Sequence, residues 1–142
     1  MADQDRFARA LVALARGLGR IGRERARAGD VTPQQAETLE LIAEHGALST
    51  SMLATLLGID PSTASRNLSG LERSGLIARQ KGSEDGRQTD VRLTPRGRRT
   101  AQSVGSSTSA AFGALLDKIP RNERARVVDA LEVLTRALEA TR

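Results

Sequence analysis

Residues 49–75, STSMLATLLGIDPSTASRNLSGLERSG, decide the fold. Ser49 can cap a short helix whose apolar positions are Met52, Leu53, Leu56 and Leu57, and Gly58 ends it. Asp60 and Pro61 open a second helix, a capping residue followed by the residue whose φ is already set for a first turn. Along that helix Ala64, Leu68 and Leu71 recur at steps of four and three, so they share one face, and Gly75 closes it. Two short helices joined by Gly58-Ile59-Asp60-Pro61 match a helix-turn-helix.

Immediately downstream, Leu76–Arg79 and Thr89–Leu93 read as two strands, the second alternating cleanly between apolar and polar residues. The segment between them, Gln80 to Gln88, is polar and carries Gly82 and Gly86, which makes it a hairpin, or wing. Upstream, Thr32-Pro33-Gln34-Gln35 signals a helix start, with Thr32 and Gln35 able to form a capping box. Leu39, Leu41 and Ile42 supply that helix's apolar face, and Gly46 is its stop. His45, just before the stop, reads as a helix-end residue interacting with terminal carbonyls rather than as a ligand.

The flanks are helical. Phe7, Leu11, Leu14, Leu18 and Ile21 form a stripe with a coiled-coil-like period, which loosens from Gly22 onward. Thr94-Pro95 starts another helix, with Ala101, Val104, Ala111, Phe112 and Leu115 along one side. Pro120 breaks it and opens a last one, striped by Val127, Leu131, Leu134 and Leu138. The expected architecture is mainly α with a small β-wing, in a single domain over 1–142. A winged helix-turn-helix at 30–100 is flanked by helices at 1–29 and 101–142. A small domain cannot bury all of these stripes alone, so a partner subunit is expected.

Composition narrows the chemistry. The chain has no cysteine and one histidine, so disulfides, thiolate metal sites and thiol redox sensing are excluded, and a zinc site is not expected. No cofactor is expected. No paired carboxylates or nucleophile–base set appears, which argues against an enzyme. With only Phe7 and Phe112 as aromatics, stacking on unpaired bases is not available for RNA binding. No apolar run is long enough for a membrane span, and the N-terminus lacks a signal-peptide pattern, so the cytoplasm is the expected location. Of the net charge of +5, residues 1–48 contribute nothing, with seven cations and seven anions, whereas residues 49–100 carry nine against five. The positive excess sits on the helix-turn-helix and wing, as an anion-binding module requires.

On the second helix of that motif, the face opposite Ala64, Leu68 and Leu71 carries Ser62, Ser65, Arg66 and Ser69, with Thr63 and Asn67 beside them. Small hydroxyls let a helix approach a major-groove floor, and Arg66 can reach a guanine edge or a phosphate. No acid occurs on this helix between Asp60 and Glu72, unlike an ordinary solvated face. In the wing, Arg87 is placed to enter a narrow minor groove, and Asp85 can orient an arginine there.

Asp85-x-Arg87-x-x-x-Val91-x-Leu93-Thr94-x-x-Gly97 is similar to the wing signature of the MarR family of regulators. Asp60-Pro61-Ser62-Thr63-Ala64-Ser65-Arg66 and Leu71-Glu72-Arg73-Ser74-Gly75-Leu76-Ile77 resemble that family's recognition helix and its turn into the wing, and the likeness covers essentially the whole chain. The resemblance implies a sequence-specific regulator of transcription, a repressor acting as a homodimer on a pseudo-palindromic duplex site, with the N- and C-terminal helices interlocked. It implies Ser62, Thr63, Ser65 and Arg66 in the major groove and Arg87 in the minor groove; Ser69 extends the first set, and Arg96 is expected near phosphates from its charge and position. Many such regulators respond to a small-molecule effector bound between the dimerisation helices and the winged module. The near absence of aromatics leaves that pocket unassigned. The competing reading is a winged helix turned protein-interaction module without DNA binding, against which Arg66 and Arg87 both stand.

Overall fold

The structure, a computed structural model, describes residues 2–81 and 89–141. By their internal contacts the residues fall into two compact units, 1–108 and 109–142. The first unit begins with α1 (Ala2–Gly29), followed by α2 (Pro33–His45), the two-residue strand β1 (Leu48–Ser49), α3 (Thr50–Leu57) and α4 (Pro61–Arg73). Strands β2 (Ile77–Lys81) and β3 (Thr89–Leu93) lead into α5 (Pro95–Asp117), in which the second unit begins, and α6 (Arg121–Ala140) lies wholly in that second unit.

Capping explains the helix boundaries. Thr32 and Gln35 form the reciprocal box expected of them, the Gln35 N–H donating to Thr32 Oγ1 at 3.2 Å and the Thr32 N–H to Gln35 Oε1 at 3.0 Å. Ser49 accepts from the Met52 N–H at 3.1 Å, and Gly58 ends α3 in the left-handed conformation. Gly46 also has a positive φ of +79°, although its ψ of −49° lies outside the left-handed helical well, and its N–H returns to Ile42 O at 2.8 Å. The His45 ring bonds the Leu41 carbonyl at 2.9 Å, the helix-end contact its position suggests.

Two features depart from the sequence expectation. First, α1 does not loosen at Gly22 but continues to Gly29, because its last turns are held from outside. Arg25 forms an ion pair with Glu40 of α2, Nη1 to Oε2 at 2.5 Å, and Thr108 of α5 donates to the other Glu40 oxygen at 3.2 Å. Second, β1 is too short to show as a periodic pattern; it exists because Leu48 pairs with Val91 and Ser49 with Asp90. The result is an antiparallel sheet in the order β1-β3-β2.

The main core gathers Leu39 and Ile42 from α2, Leu53 from α3, Leu68 and Leu71 from α4, and Leu76, Ile77 and Val91 from the sheet region. Thr38, buried among them, is satisfied by donating to Gln34 O at 2.8 Å and accepting from the Asn67 side-chain amide at 3.0 Å. Asn67 therefore holds α4 to α2 rather than joining the outer face of α4.

The tightest junction lies where α5 meets the turn after α4. Gly75 turns the chain with φ +76°, and the Leu76 carbonyl then accepts from the Thr94 N–H at 3.1 Å. Thr94 Oγ1 donates to Gly75 O at 2.6 Å and accepts from the Gly97 N–H at 3.0 Å, so one hydroxyl both anchors the turn and caps α5. A Cβ on Gly97 would lie 1.9 Å from Leu76 O, a backbone atom with no freedom to retreat.

Gly97→Ala is therefore expected to cost at least about 2 kcal/mol, through overpacking against backbone. Gly105→Ala, where an added Cβ meets nothing within 4 Å, is expected to be stabilising by roughly 0.5–1 kcal/mol. Urea unfolding midpoints of the two variants check both signs.

Candidate nucleic-acid interface

Helix α4 owes its start to Asp60, whose backbone is extended and whose carboxylate accepts from the Thr63 N–H at 3.1 Å. The same carboxylate accepts from the Ser62 hydroxyl at 2.6 Å and from the Thr63 hydroxyl at 2.8 Å. Thr63 Oγ1 in turn accepts from Arg66 Nη2 at 3.3 Å. These bonds make a chain, Asp60 to Thr63 to Arg66, across the exposed first turn of the helix. The hydroxyls of Ser62 and Thr63, the Thr63 N–H and, more weakly, the Arg66 charge hold the Asp60 carboxyl down at about 2.

Of the residues expected to read DNA, Ser62 and Arg66 are exposed and Thr63 and Ser65 half-buried along one side of this helix. Ser69, one turn on, is engaged internally: its hydroxyl donates to Ser65 O at 3.0 Å and accepts from Arg79 Nη2 at 3.1 Å. Arg96 stands at the other end of α4, where its guanidinium donates to the Ser74 carbonyl at 3.0 Å and helps close the helix. The neighbouring Arg92, Arg98 and Arg99 are exposed. Asp85 and Arg87 lie outside the described residues.

The residue that sequence reasoning passed over is Arg79. It falls in β2 two positions after buried Ile77, so strand periodicity puts the two on the same face. Its Nη2 donates to Ser65 O at 2.9 Å as well as to Ser69, which ties the strand leading into the wing to the middle of α4. That period-two spacing from Ile77 was the available signal.

A groove of about 620 Å³ opens between α2, β3 and α5, with Glu40, Glu44, Arg92, Arg98 and Gln102 around an aliphatic floor. Among the described residues no cluster of His, Asp and Glu is arranged to hold a metal, and no helix is long and apolar enough to cross a membrane.

Helix-turn-helix, sheet and α5 together define a winged helix. The sequence profile of the MarR family matches residues 31–89. The chain is 29% identical over 110 residues to the HTH-type transcriptional regulator YfiV of Bacillus subtilis, spanning 78% of this chain and 69% of that one. Among solved structures, it is similar to RV1404 from Mycobacterium tuberculosis, at 30% identity and a TM-score of 0.77, covering 94% of this chain and 92% of that one. In fold it also resembles FabT of Streptococcus pneumoniae, solved in complex with DNA, with a TM-score of 0.86 at 21% identity over 98% of this chain and 99% of that one. The chain belongs to the MarR family of winged-helix transcription regulators.

The Asp60 cap generates a pH dependence. The folded-state pKa lies below the usual 3.8, so its contribution to stability is present above pH ~4 and is lost as pH falls toward about 2. Asp60→Asn should remove that increment alone. Subtracting the variant's urea midpoints from those of the native chain between pH 2 and 5 should give a difference that shrinks on acidification; a pH-independent difference would contradict the assignment.

Proposed function

We propose that this protein is a homodimeric repressor that binds a pseudo-palindromic duplex site through α4 and the wing. The observation that carries this reading is the outer side of α4. There Ser62, Thr63 and Arg66 are linked to Asp60 in a pre-formed arrangement, within the stretch 49–100 that holds most of the chain's cationic excess. Held in place before contact, these groups lose little side-chain entropy on meeting a base edge. The FabT complex adds support from fold, since a protein of this architecture is seen with DNA. Arg87 is proposed to enter the minor groove, with Asp85 orienting the wing, and Arg96 and its neighbours to meet phosphates.

The dimer is supported by apolar surface that each unit leaves uncovered. In the first unit Phe7, Val12, Leu14 and Leu18 of α1 are 39–55% exposed; in the second, Val128, Leu131, Val133 and Leu138 of α6 are 46–57% exposed. Contiguous apolar rows of this kind mark surfaces that another chain can cover. Under this reading residues 1–29 and 101–142 are dimerisation helices and 30–100 the reading module. Release by a small-molecule effector is proposed on the groove between α2, β3 and α5, whose arginine and glutamate side chains suit a polar, ionisable ligand.

The first test is a salt titration against duplex DNA, for which log affinity should fall steeply and linearly with log salt. Weak, salt-insensitive binding would favour the protein-interaction module instead. On a site selected from a random duplex library, Arg66→Ala should lose about 1–3 kcal/mol, with little loss on random duplex. For the assembly, sedimentation at micromolar concentration should give twice the 15.2 kDa chain mass, and Leu131→Glu should return it to the monomer.

A further inference from the structure

We propose that Arg79 is the positioning residue that sets how α4 is presented to DNA, acting through Ser65 and Ser69 without touching the nucleic acid itself. The proposal rests on the DNA-binding reading above. The sheet register places Arg79 opposite Val91, which is fully buried, and on the same face of β2 as Ile77, so this guanidinium occupies a position where an aliphatic side chain would ordinarily pack. From there one nitrogen, Nη2, reaches both Ser65 O at 2.9 Å and Ser69 Oγ at 3.1 Å. The Ser69 hydroxyl closes the figure by donating to Ser65 O at 3.0 Å. The three groups form a triangle that clamps consecutive turns of α4 to the strand.

Apolar packing alone does not account for an arginine here. Its Nε is buried and has no hydrogen-bond partner among the described residues, and a buried unpaired donor is costly where an aliphatic chain would not be. What the guanidinium adds is direction: a planar, rigid fork fixes both the distance and the roll of α4 about its axis in a way a flexible ammonium does not. Ser65 is adjacent to Arg66 in sequence, so a roll of the helix at Ser65 swings Arg66 and, one turn earlier, Ser62. The strand that carries Arg79 runs to Lys81, so the same clamp fixes where β2 lies against α4. Ser69 belongs to this device: its proton goes to Ser65 O and a lone pair to Arg79.

The experiment compares the native full chain with Arg79→Met, Arg79→Lys, Ser69→Ala and the Arg79→Met/Ser69→Ala double variant. Each is titrated on a selected duplex and on random duplex across a salt series, with melting curves to verify folding. Arg79→Met is expected to weaken the selected duplex roughly 10-fold or more, with random-duplex affinity and the salt slope unchanged. Arg79→Lys should behave like Arg79→Met, because charge without the fork does not hold the helix. The double variant should lose no more than Arg79→Met alone, since both changes open one clamp. Should Arg79→Met fail to fold, Ser69→Ala carries the test with a smaller loss confined to the selected duplex.

Wild-type affinity in Arg79→Lys, or a salt slope reduced by about one in Arg79→Met with equal loss on both duplexes, would identify a phosphate contact and overturn the proposal. Additive losses in the double variant would also overturn it, by making Ser69 an independent contact. Failure of the native chain to prefer any selected duplex has a different signature, because it removes the DNA-binding reading and this proposal together.

Discussion

Everything in the winged module depends on one close approach, that of the Gly97 backbone to the Leu76 carbonyl. Because no side chain intervenes, α5 can start directly against the turn that ends α4, and Thr94 can bridge the two with a single hydroxyl. Both strands of the hairpin are thereby tethered at their far ends: β2 leaves the turn at Ile77, and β3 returns to it at Leu93, which pairs with Ile77. A two-stranded hairpin is marginal by itself. Pinned at its base, and extended by the two residues of β1, it becomes a stable projection from a packed core. The signature Leu93-Thr94-x-x-Gly97 is thus first of all a structural device that fixes where β2 and β3 meet the α4 turn.

The face of α4 divides by the same logic. Toward its N-terminus the polar groups are tied to one another, Asp60 ordering Ser62 and Thr63 and through Thr63 the guanidinium of Arg66. Toward the middle they are tied to the sheet through Arg79. Neither half is a loose solvated surface. Small hydroxyls serve both purposes, being short enough to bond within the helix and small enough to leave room for a groove floor. This arrangement favours a reading role over a merely solubilising one, for which long flexible Lys and Glu chains suffice.

How much of this was legible in the sequence follows from the range of the forces involved. Caps and stops were legible, because Thr32, Gln35, Ser49, Asp60 and Gly58 act within a few residues of themselves. The helix-turn-helix and the clean alternation of Thr89–Leu93 were legible for the same reason. The strand β1 was not, since two residues carry no period and Leu48 is recruited by Val91 from far along the chain. The persistence of α1 past Gly22 was hidden likewise, being enforced by Glu40 and Thr108 on other elements. Within the site, sequence grouped Asn67 and Ser69 with the exposed polar residues because a helical wheel cannot say which polar group faces a neighbour. In the structure Asn67 turns to Thr38 and Ser69 to Arg79. Asp85 and Arg87, the most diagnostic pair in the sequence, fall outside the described residues and stand on their motif.

The apolar surfaces connect the reading module to its proposed control. Beyond Val104, no described residue is buried within this chain, although the segment contains Phe112, Leu115, Leu116, Val128 and Leu131. Helices with no buried position gain almost nothing from folding alone and depend on packing for their persistence. In the proposed dimer, that packing comes from a second copy, so the order of the C-terminal helices and the pairing of two reading modules are one equilibrium. Helix α5 starts against the α4 turn at Gly97 and runs to Asp117. The groove that α5 shares with α2 and β3 lies on this element, and Glu40, at its edge, already bonds Arg25 of α1 and Thr108 of α5. A ligand that drew Glu40 away from Arg25 and Thr108 would therefore loosen the hold of α2 on both α1 and α5. In the proposed dimer, an effector in this groove would weaken the proposed hold on DNA only through a differential affinity for two states of the pair.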